Sequence, residues 1–420
     1  MKNKFIYFLC ALTLIYSVVP RANAAERIFA EEDTSEYEVR EQFVFSPEIA
    51  QVMAGTDSFV DKMATTENFD VPCKAAYLIE ETSGRVLYEK HSDEQMPMAS
   101  ITKVMTMILV MEALDSGKIK MNDTVPISKH AFSMGGSQVW LEPGEIFTVD
   151  EMLKAVAVSS ANDAAVALAE FVGGSEENFC DMMNEKAKSL GMENTHFVNA
   201  CGLDADNHYS TAKDVSIMAR ELMKHEEIFN YTTIWMDYLR NGQTQLVNTN
   251  KLLRSYNGIT GLKTGTTSGA GVCICATAKR NGLSLVAVVL GSDSSQERFS
   301  AAKKLLDFGF SNFEVKKFPE TPELPHNIRV RLGVDKIRDL SCDLPENLLF
   351  VKGSTDTLTY KIEMPEYINA PMYNKMKVGV LSLYGTSGKI KDYDIILSQD
   401  ALKIDFKTAL AILTNKLGNM

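Results

Sequence analysis

Ser100-Ile101-Thr102-Lys103 places a hydroxyl and a primary amine three residues apart, at the head of the run "ITKVMTMILVMEALDSG". At helical spacing, i and i+3 share a face, so the two groups are neighbours. The run is apolar almost all round, which marks a helix buried within a domain. An ammonium taken out of water tends to shed its proton instead. Burial lowers a lysine pKa, and a second cation nearby lowers it further. A Lys103 brought from about 10.4 toward about 7–8 is a general base. It could take the proton of Ser100 and leave an alkoxide-like nucleophile. The pattern S-x-x-K is cheap by itself. Ser210/Lys213 and Ser300/Lys303 repeat it and are expected to be surface coincidences.

Two further motifs supply what such a pair needs. Ser160-Ala161-Asn162 lies at a break between apolar helical stretches, where a hydroxyl and an amide can project into a cleft. Ser160 could relay a proton between Lys103 and a departing amine, and Asn162 could bind a substrate carbonyl. Ser255-Tyr256-Asn257 fits the same S-x-N pattern by chance. Lys263-Thr264-Gly265 occurs once and opens an apolar strand. A strand edge can pair with an extended peptide. Lys263 supplies the second cation expected to depress Lys103, and Gly265 would let a substrate approach the backbone closely. The N–H of Thr266, with that of Ser100, could form an oxyanion hole.

These residues must be positioned by a mixed domain. "KAAYLIEETSGRVLYEK" predicts two strands joined at Ser83-Gly84, and the helix from Ser100 ends near Ser116 with Gly117 as a cap. "VDEMLKAVAVSSANDAAVALAEFVGG" predicts two helical stretches, and "TAKDVSIMARELMK" a third. "GLKTGTTSGAGVCICATAKRNGLSLVAVVLG" predicts a strand, a turn at Arg280-Asn281-Gly282 and a second strand; "RFSAAKKLLDFGF" predicts a closing helix. Strands from both ends around helices from the middle make an α+β domain, placed at residues 72–315. Residues 316–400 switch to period two, as in "NIRVRLG", and predict a small all-β domain. Residues 401–420 return to helical spacing, with Leu402, Phe406, Ala409, Leu410, Leu413 and Leu417 on one face. Such a helix could lie on a membrane surface or dock on the β-domain.

A hydrophobic content of 45% fits a globular core, and a formal charge of −12 lacks the basic footprint of a nucleic-acid binder. Lys2 and Lys4, the apolar run from Phe5 to Val19 and an A-x-A ending at Ala24 predict a cleaved export leader, residues 1–24. The run is shorter than the about 20 residues a span needs, which disfavours an uncleaved anchor. The acidic, aperiodic residues 25–71 predict a spacer. Export permits disulfides, but the six cysteines after the leader are scattered and lack metal-ligand spacing, so they are expected as small buried thiols with at most one bridge. No histidine sits in an apolar setting like that of Lys103, and all six are expected to be solvated or capping residues.

The three motifs in this order resemble those of the penicillin-binding and serine β-lactamase superfamily. "MASITKVMT", "SSANDAAVALAE", "GLKTGTT", "GGSQVWLEPGE", "HFVNACGLD" and "AAKKLLDFGF" are similar to the low-molecular-mass D-alanyl-D-alanine carboxypeptidases over residues 72–315, and more loosely beyond. The resemblance implies a β-lactamase/transpeptidase-like domain whose antiparallel sheet packs with a buried central helix. It implies Ser100 as the acylated nucleophile, Lys103 as its base, Ser160 and Asn162 as relay and positioning pair, Lys263 as a substrate-binding residue and Thr264 on the substrate's terminal carboxylate. Arg298 matches a family arginine near that carboxylate. The implied substrate is a peptidoglycan stem peptide ending in D-Ala-D-Ala, with β-lactams as covalent inhibitors. No metal or organic cofactor is implied, and the tail would hold the exported enzyme on the outer face of the cytoplasmic membrane. A transpeptidase would use the same residues with an amine acceptor. A class A β-lactamase would need a second general base that no motif places. A non-catalytic scaffold would not need all three motifs intact, and a Ser-His-Asp hydrolase lacks its G-x-S-x-G elbow.

Overall fold

The computed structural model describes residues 69–420 except 322, 354–356, 386–387, 411–413 and 415–420. The predicted leader and the spacer up to residue 68 lie outside the described residues. A five-stranded antiparallel sheet carries the first domain. Its strands are β1 (Ala75–Glu80), β2 (Val86–Lys90), β3 (Ile259–Thr267), β4 (Gly271–Arg280) and β5 (Leu283–Ser292), in spatial order β2-β1-β5-β4-β3. Successive side chains on a strand face opposite ways, and here both faces are covered. Tyr77, Ile79, Cys273, Cys275, Val286 and Val288 enter a core shared with the helices of the middle region. Leu78, Ile274, Ala276, Leu285 and Val289 enter a second core against Leu305 and Phe308 of the helix that follows the sheet. The chain begins and ends the sheet, so β1 and β5 are hydrogen-bonded neighbours although they are far apart in sequence.

The middle region supplies α1 (Lys103–Asp115), α2 (Val149–Ser159), α3 (Asn162–Gly173), α4 (Glu176–Ser189) and α5 (Ala212–Met223); α6 (Ser295–Asn312) follows the sheet. Residues 103–111 of α1 are all buried, as its unbroken apolar pattern requires. Gly117, at φ +72°, donates its N–H to Leu114 O and closes the helix. The α-helix starts three residues later than predicted: Ala99–Thr102 is a 3-10 turn, and Ser100 sits in it. Thr148 and Glu151 form a capping box at the head of α2. The helix stops where Ser160 takes the left-handed conformation, at φ 60°, before α3 begins.

One sequence expectation needs correction here. The stretch from Ile259 to Ser292 forms three strands, because Ser268-Gly269-Ala270 turns the chain between Thr267 and Gly271. That turn carries the same Ser-Gly pair as the turn at Ser83-Gly84, and it is also held from outside, by Asp204 accepting from Gly269 N and Thr267 Oγ1. No disulfide forms among the described residues: Cys73, Cys180, Cys201, Cys273, Cys275 and Cys342 are all free thiols.

The β-rich part comprises β6 (Phe313–Lys317), β7 (Asn327–Arg331), β8 (Ile337–Cys342), β9 (Asn347–Val351), β10 (Thr359–Glu363), β11 (Tyr367–Asn369), β12 (Lys377–Gly385) and β13 (Gly388–Leu397). Six of them form a sheet in the order β10-β12-β13-β8-β7-β11, and β6 pairs with β9. The tail helix begins at Phe406, not at residue 401. Ala401 is buried and exchanges backbone hydrogen bonds with Met372, and Leu402 O and Ile404 N bond to Val334 and Leu332, so this stretch extends the β-domain. Leu402 therefore leaves the predicted helical face, while Phe406 and Leu410 are exposed on the helix.

Candidate active site

The turn carrying Ser100 is held between two glycines. A Cβ on Gly265 would lie 2.9 Å from Ala99 Cβ, Met98 O and Ser100 N; one on Gly202 would lie 2.0 Å from Ala99 O. Gly202 also has φ +85°, a conformation that L side chains rarely adopt. The close approach expected at Gly265 is thus made by the protein's own Ser100 turn. Thr102 anchors the turn's far end through a 2.7 Å bond to His208 Nε2. His208 Nδ1 accepts from Val198 N, so Nε2 carries the ring proton and donates to Thr102 Oγ1. His208 is buried, which holds its pKa down to about 4. It corrects the expectation that every histidine is solvated or capping. The signal was weak: "DNHYS" has no apolar period, and burial comes from packing against Phe197.

Lys103 is fully buried and its Nζ meets Ser100 Oγ at 2.9 Å, Asn162 Oδ1 at 2.6 Å and Cys201 O at 2.6 Å. The two carbonyl oxygens can only accept, so they claim two N–H groups. The third position on nitrogen faces Ser100. In the ammonium that position is a proton; in the neutral amine it is a lone pair aimed at the hydroxyl. Burial, first, lowers the Lys103 pKa to about 8, opposed by Cys201 and by Asp163. The second-cation effect expected on Lys103 falls instead on Lys263, which burial, then Lys103 and Arg298, push well below the usual lysine range.

Ser160 meets Lys263, at 2.8 Å from Nζ, rather than Lys103. Its left-handed backbone at the α2–α3 break turns that hydroxyl toward β3. Asn162 is engaged at both ends of its amide: Oδ1 accepts from Lys103 and Nδ2 donates to Gly135 O at 2.6 Å. In this structure it orients Lys103, and Nδ2 has a second N–H besides the one given to Gly135 O. Thr264 Oγ1 donates to Thr249 Oγ1 at 2.6 Å, and Thr266 Oγ1 donates to Gly265 O. β3 is the outermost strand of its sheet, as an edge for an extended peptide requires. Arg298 is buried beside it, donating at 3.3 Å to Gly265 O, Thr266 Oγ1 and Cys273 O, with Nε left unpartnered. Burial brings the Arg298 pKa down to about 10. Lys103, Lys263 and Arg298 thus form a buried cationic cluster with no ion pair among the described residues.

The decoy motifs part from this cluster. Lys213 and Ser300 face solvent, as do Ser255 and Asn257, although Ser210 is buried rather than on the surface. Residues that sequence reasoning missed complete the site. Cys201 supplies a carbonyl. Asp163, buried next to Asn162, accepts from Val139 N and Leu141 N and so fixes the loop that bears Gly135. Their only signals were the stretches "HFVNACGLD" and "SSANDAAV" around them.

A family profile described as D-alanyl-D-alanine carboxypeptidase matches residues 51–294. The chain belongs to the D-alanyl-D-alanine carboxypeptidase family. It is 44% identical over 341 residues to the D-alanyl-D-alanine carboxypeptidase DacF of Bacillus subtilis, covering 80% of this chain and 88% of that one. In structure it is similar to penicillin binding protein 5 of Haemophilus influenzae, with TM-score 0.70 and 28% identity, covering 80% of this chain and 99% of that one. It is also similar to penicillin-binding protein D2 of Listeria monocytogenes in a cefotaxime-bound form, with TM-score 0.54 and 34% identity over 58% of this chain and 99% of that one. The mixed sheet-and-helix domain, with a β-domain beyond it, is the architecture this carboxypeptidase shares with penicillin-binding proteins.

Proposed function

We propose that the protein is an exported serine D-alanyl-D-alanine carboxypeptidase, which removes the terminal D-alanine of a peptidoglycan stem peptide through an acyl-enzyme on Ser100. The observation that carries this reading is the Lys103 nitrogen, fully buried, tied by two carbonyls and presenting its third position to Ser100 Oγ at 2.9 Å.

Neutral Lys103 takes the Ser100 proton as Oγ attacks the carbonyl between the two D-alanines. The backbone N–H groups of Ser100 and Thr266 receive the oxyanion; the approach of β3 to the Ser100 turn, so close that a Cβ on Gly265 would lie 2.9 Å from Ser100 N, supports that pairing. The substrate's terminal carboxylate binds beside Thr264, within the field of Lys263 and Arg298. The bound carboxylate, an opposite charge, restores to Lys263 the proton that burial and its neighbouring cations make it shed in the free site, and D-alanine leaves as its amine takes a proton from Ser160, whose oxygen is refilled from Lys263. Water then attacks the ester and gives its proton through Ser160 to Lys263, while Lys103 returns its proton to Ser100. Both lysines end as they began, and β-lactams acylate the same Ser100.

The reading places residues 72–315 as the catalytic domain and 316–400 as the β-domain. The tail helix from Phe406 lies on the membrane surface, its exposed Phe406 and Leu410 entering the interface. No helix among the described residues is long and apolar enough to cross a membrane.

The test is incubation of the mature protein with a diacetyl tripeptide ending in D-Ala-D-Ala, with and without an added amine. Free D-alanine with little amine-linked product is expected, together with a penicillin adduct on the Ser100 peptide and neither activity in Ser100→Ala. An adduct on another residue, or D-alanine release that survives Ser100→Ala, overturns the assignment; dominant amine-linked product makes the protein a transpeptidase.

A further inference from the structure

We infer that Thr249 is a specificity-determining residue, the second hydroxyl of the pocket that takes the substrate's terminal carboxylate; this rests on the carboxypeptidase reading above. Thr264 Oγ1 donates its only proton to Thr249 Oγ1, 2.6 Å away. Thr264 is buried and cannot give the same proton to a carboxylate while that bond holds. Thr249 is half-buried, accepts that proton and keeps its own. A hydroxyl that accepts from one neighbour is polarised toward donating to the next. A carboxylate arriving at Thr264 thus meets the Thr249 proton at the open end of a two-hydroxyl chain.

The surrounding loop is built to hold that hydroxyl in place. Thr249 N donates to Val158 O, two residues before Ser160, which ties it to the end of α2. The buried asparagines on either side are consumed by the backbone. Asn248 donates to Ile234 O and accepts from Asn250 N; Asn250 donates to Gly261 O and accepts from Leu252 N. Gly261 lies on β3, so the Asn248-Thr249-Asn250 loop is pinned both to the K-T-G strand and to the S-x-N helix. Both asparagines are buried and bonded to the backbone, so the half-buried Thr249 is the side chain of the three placed to meet a ligand. Arg298, buried beside β3 and still charged at neutral pH, has no carboxylate partner among the described residues, so the pocket favours an anion.

A neutral group in the carboxylate's place cannot use this charge-assisted bond. Thr249 therefore acts on the acid form of the peptide and not on its carboxamide. Because the bond is made in the ground state and kept in the transition state, its loss raises KM and leaves kcat.

The experiment compares wild type, Thr249→Val and Thr249→Ser on a diacetyl tripeptide ending in D-Ala-D-Ala and on the same peptide ending in D-alaninamide, with melting curves for each protein. Thr249→Val is expected to cut kcat/KM on the acid by about tenfold to a hundredfold, through KM, and to leave the amide within about twofold. Thr249→Ser is expected to restore the preference. Should valine prevent folding, Thr249→Ala carries the same expectation. Equal losses on acid and amide would make the role structural and overturn the inference, as would an unchanged acid-to-amide ratio. Wild-type protein that releases nothing from either peptide overturns the carboxypeptidase reading and this inference together; an active wild type with an unchanged ratio in the variants overturns this inference alone.

Discussion

His208 ties the stability of the Ser100 turn to pH. Its ring is buried, accepts from Val198 N at Nδ1 and donates to Thr102 from Nε2, so a second ring proton would face an N–H. Burial, then His196, holds its pKa down to about 4 against an ordinary 6.5, with Asp204 opposing. Above pH about 6.5 neither folded nor unfolded chain protonates this ring, and its full contribution is present. As pH falls from there, the unfolded chain takes a proton that the folded one refuses, and stability is lost until the folded ring titrates near 4. A shift of that size is worth about 3 kcal/mol, a large part of a domain's margin. The assay is urea unfolding of wild type and His208→Gln from pH 7.5 to 4.5. Wild type is expected to lose about 2.5 kcal/mol more than the variant across that range, since glutamine does not titrate. A difference between the two proteins that stays constant with pH would refute the buried neutral ring.

Two further outcomes follow from packing. Gly265→Ala drives a Cβ to within 2.9 Å of Met98 O and Ser100 N, so penicillin acylation should slow by about a hundredfold or more while circular dichroism stays native; acylation at the wild-type rate would mean that the turn relaxes freely. Deletion of 406–420 should release the protein from membranes without lowering its melting temperature, whereas deletion from 401 should also destabilise the β-domain, because Ala401 is buried against Met372; sedimentation with membranes after the shorter deletion would count against the surface helix.

What the sequence made legible was whatever rested on periodicity. The unbroken apolar run of α1, the break at Ser160 and the alternation in β7 and β12 each had a local pattern with a physical cause, and each formed. The union of Ser100, Lys103, Ser160, Asn162, Lys263 and Arg298 in one place was legible only by resemblance, since no local rule brings residue 100 to residue 263. The misses share another cause. The extended start of the tail at Ala401 and the burial of His208 both depend on partners distant in sequence. Thr249 lies between asparagines in a stretch with no apolar period at all. The expected effect of Lys263 on Lys103 is absent: burial lowers Lys103 against Cys201 and Asp163, and the second-cation effect falls on Lys263, through Lys103 and Arg298.

The rate constant for penicillin acylation of Ser100, measured from pH 6 to pH 10, tests the neutral Lys103 most directly. It should rise with pH and level off above an inflection near 8, where burial holds that amine. A rate that stays flat across the whole range, with the adduct still on Ser100, would mean that some other group takes the serine proton.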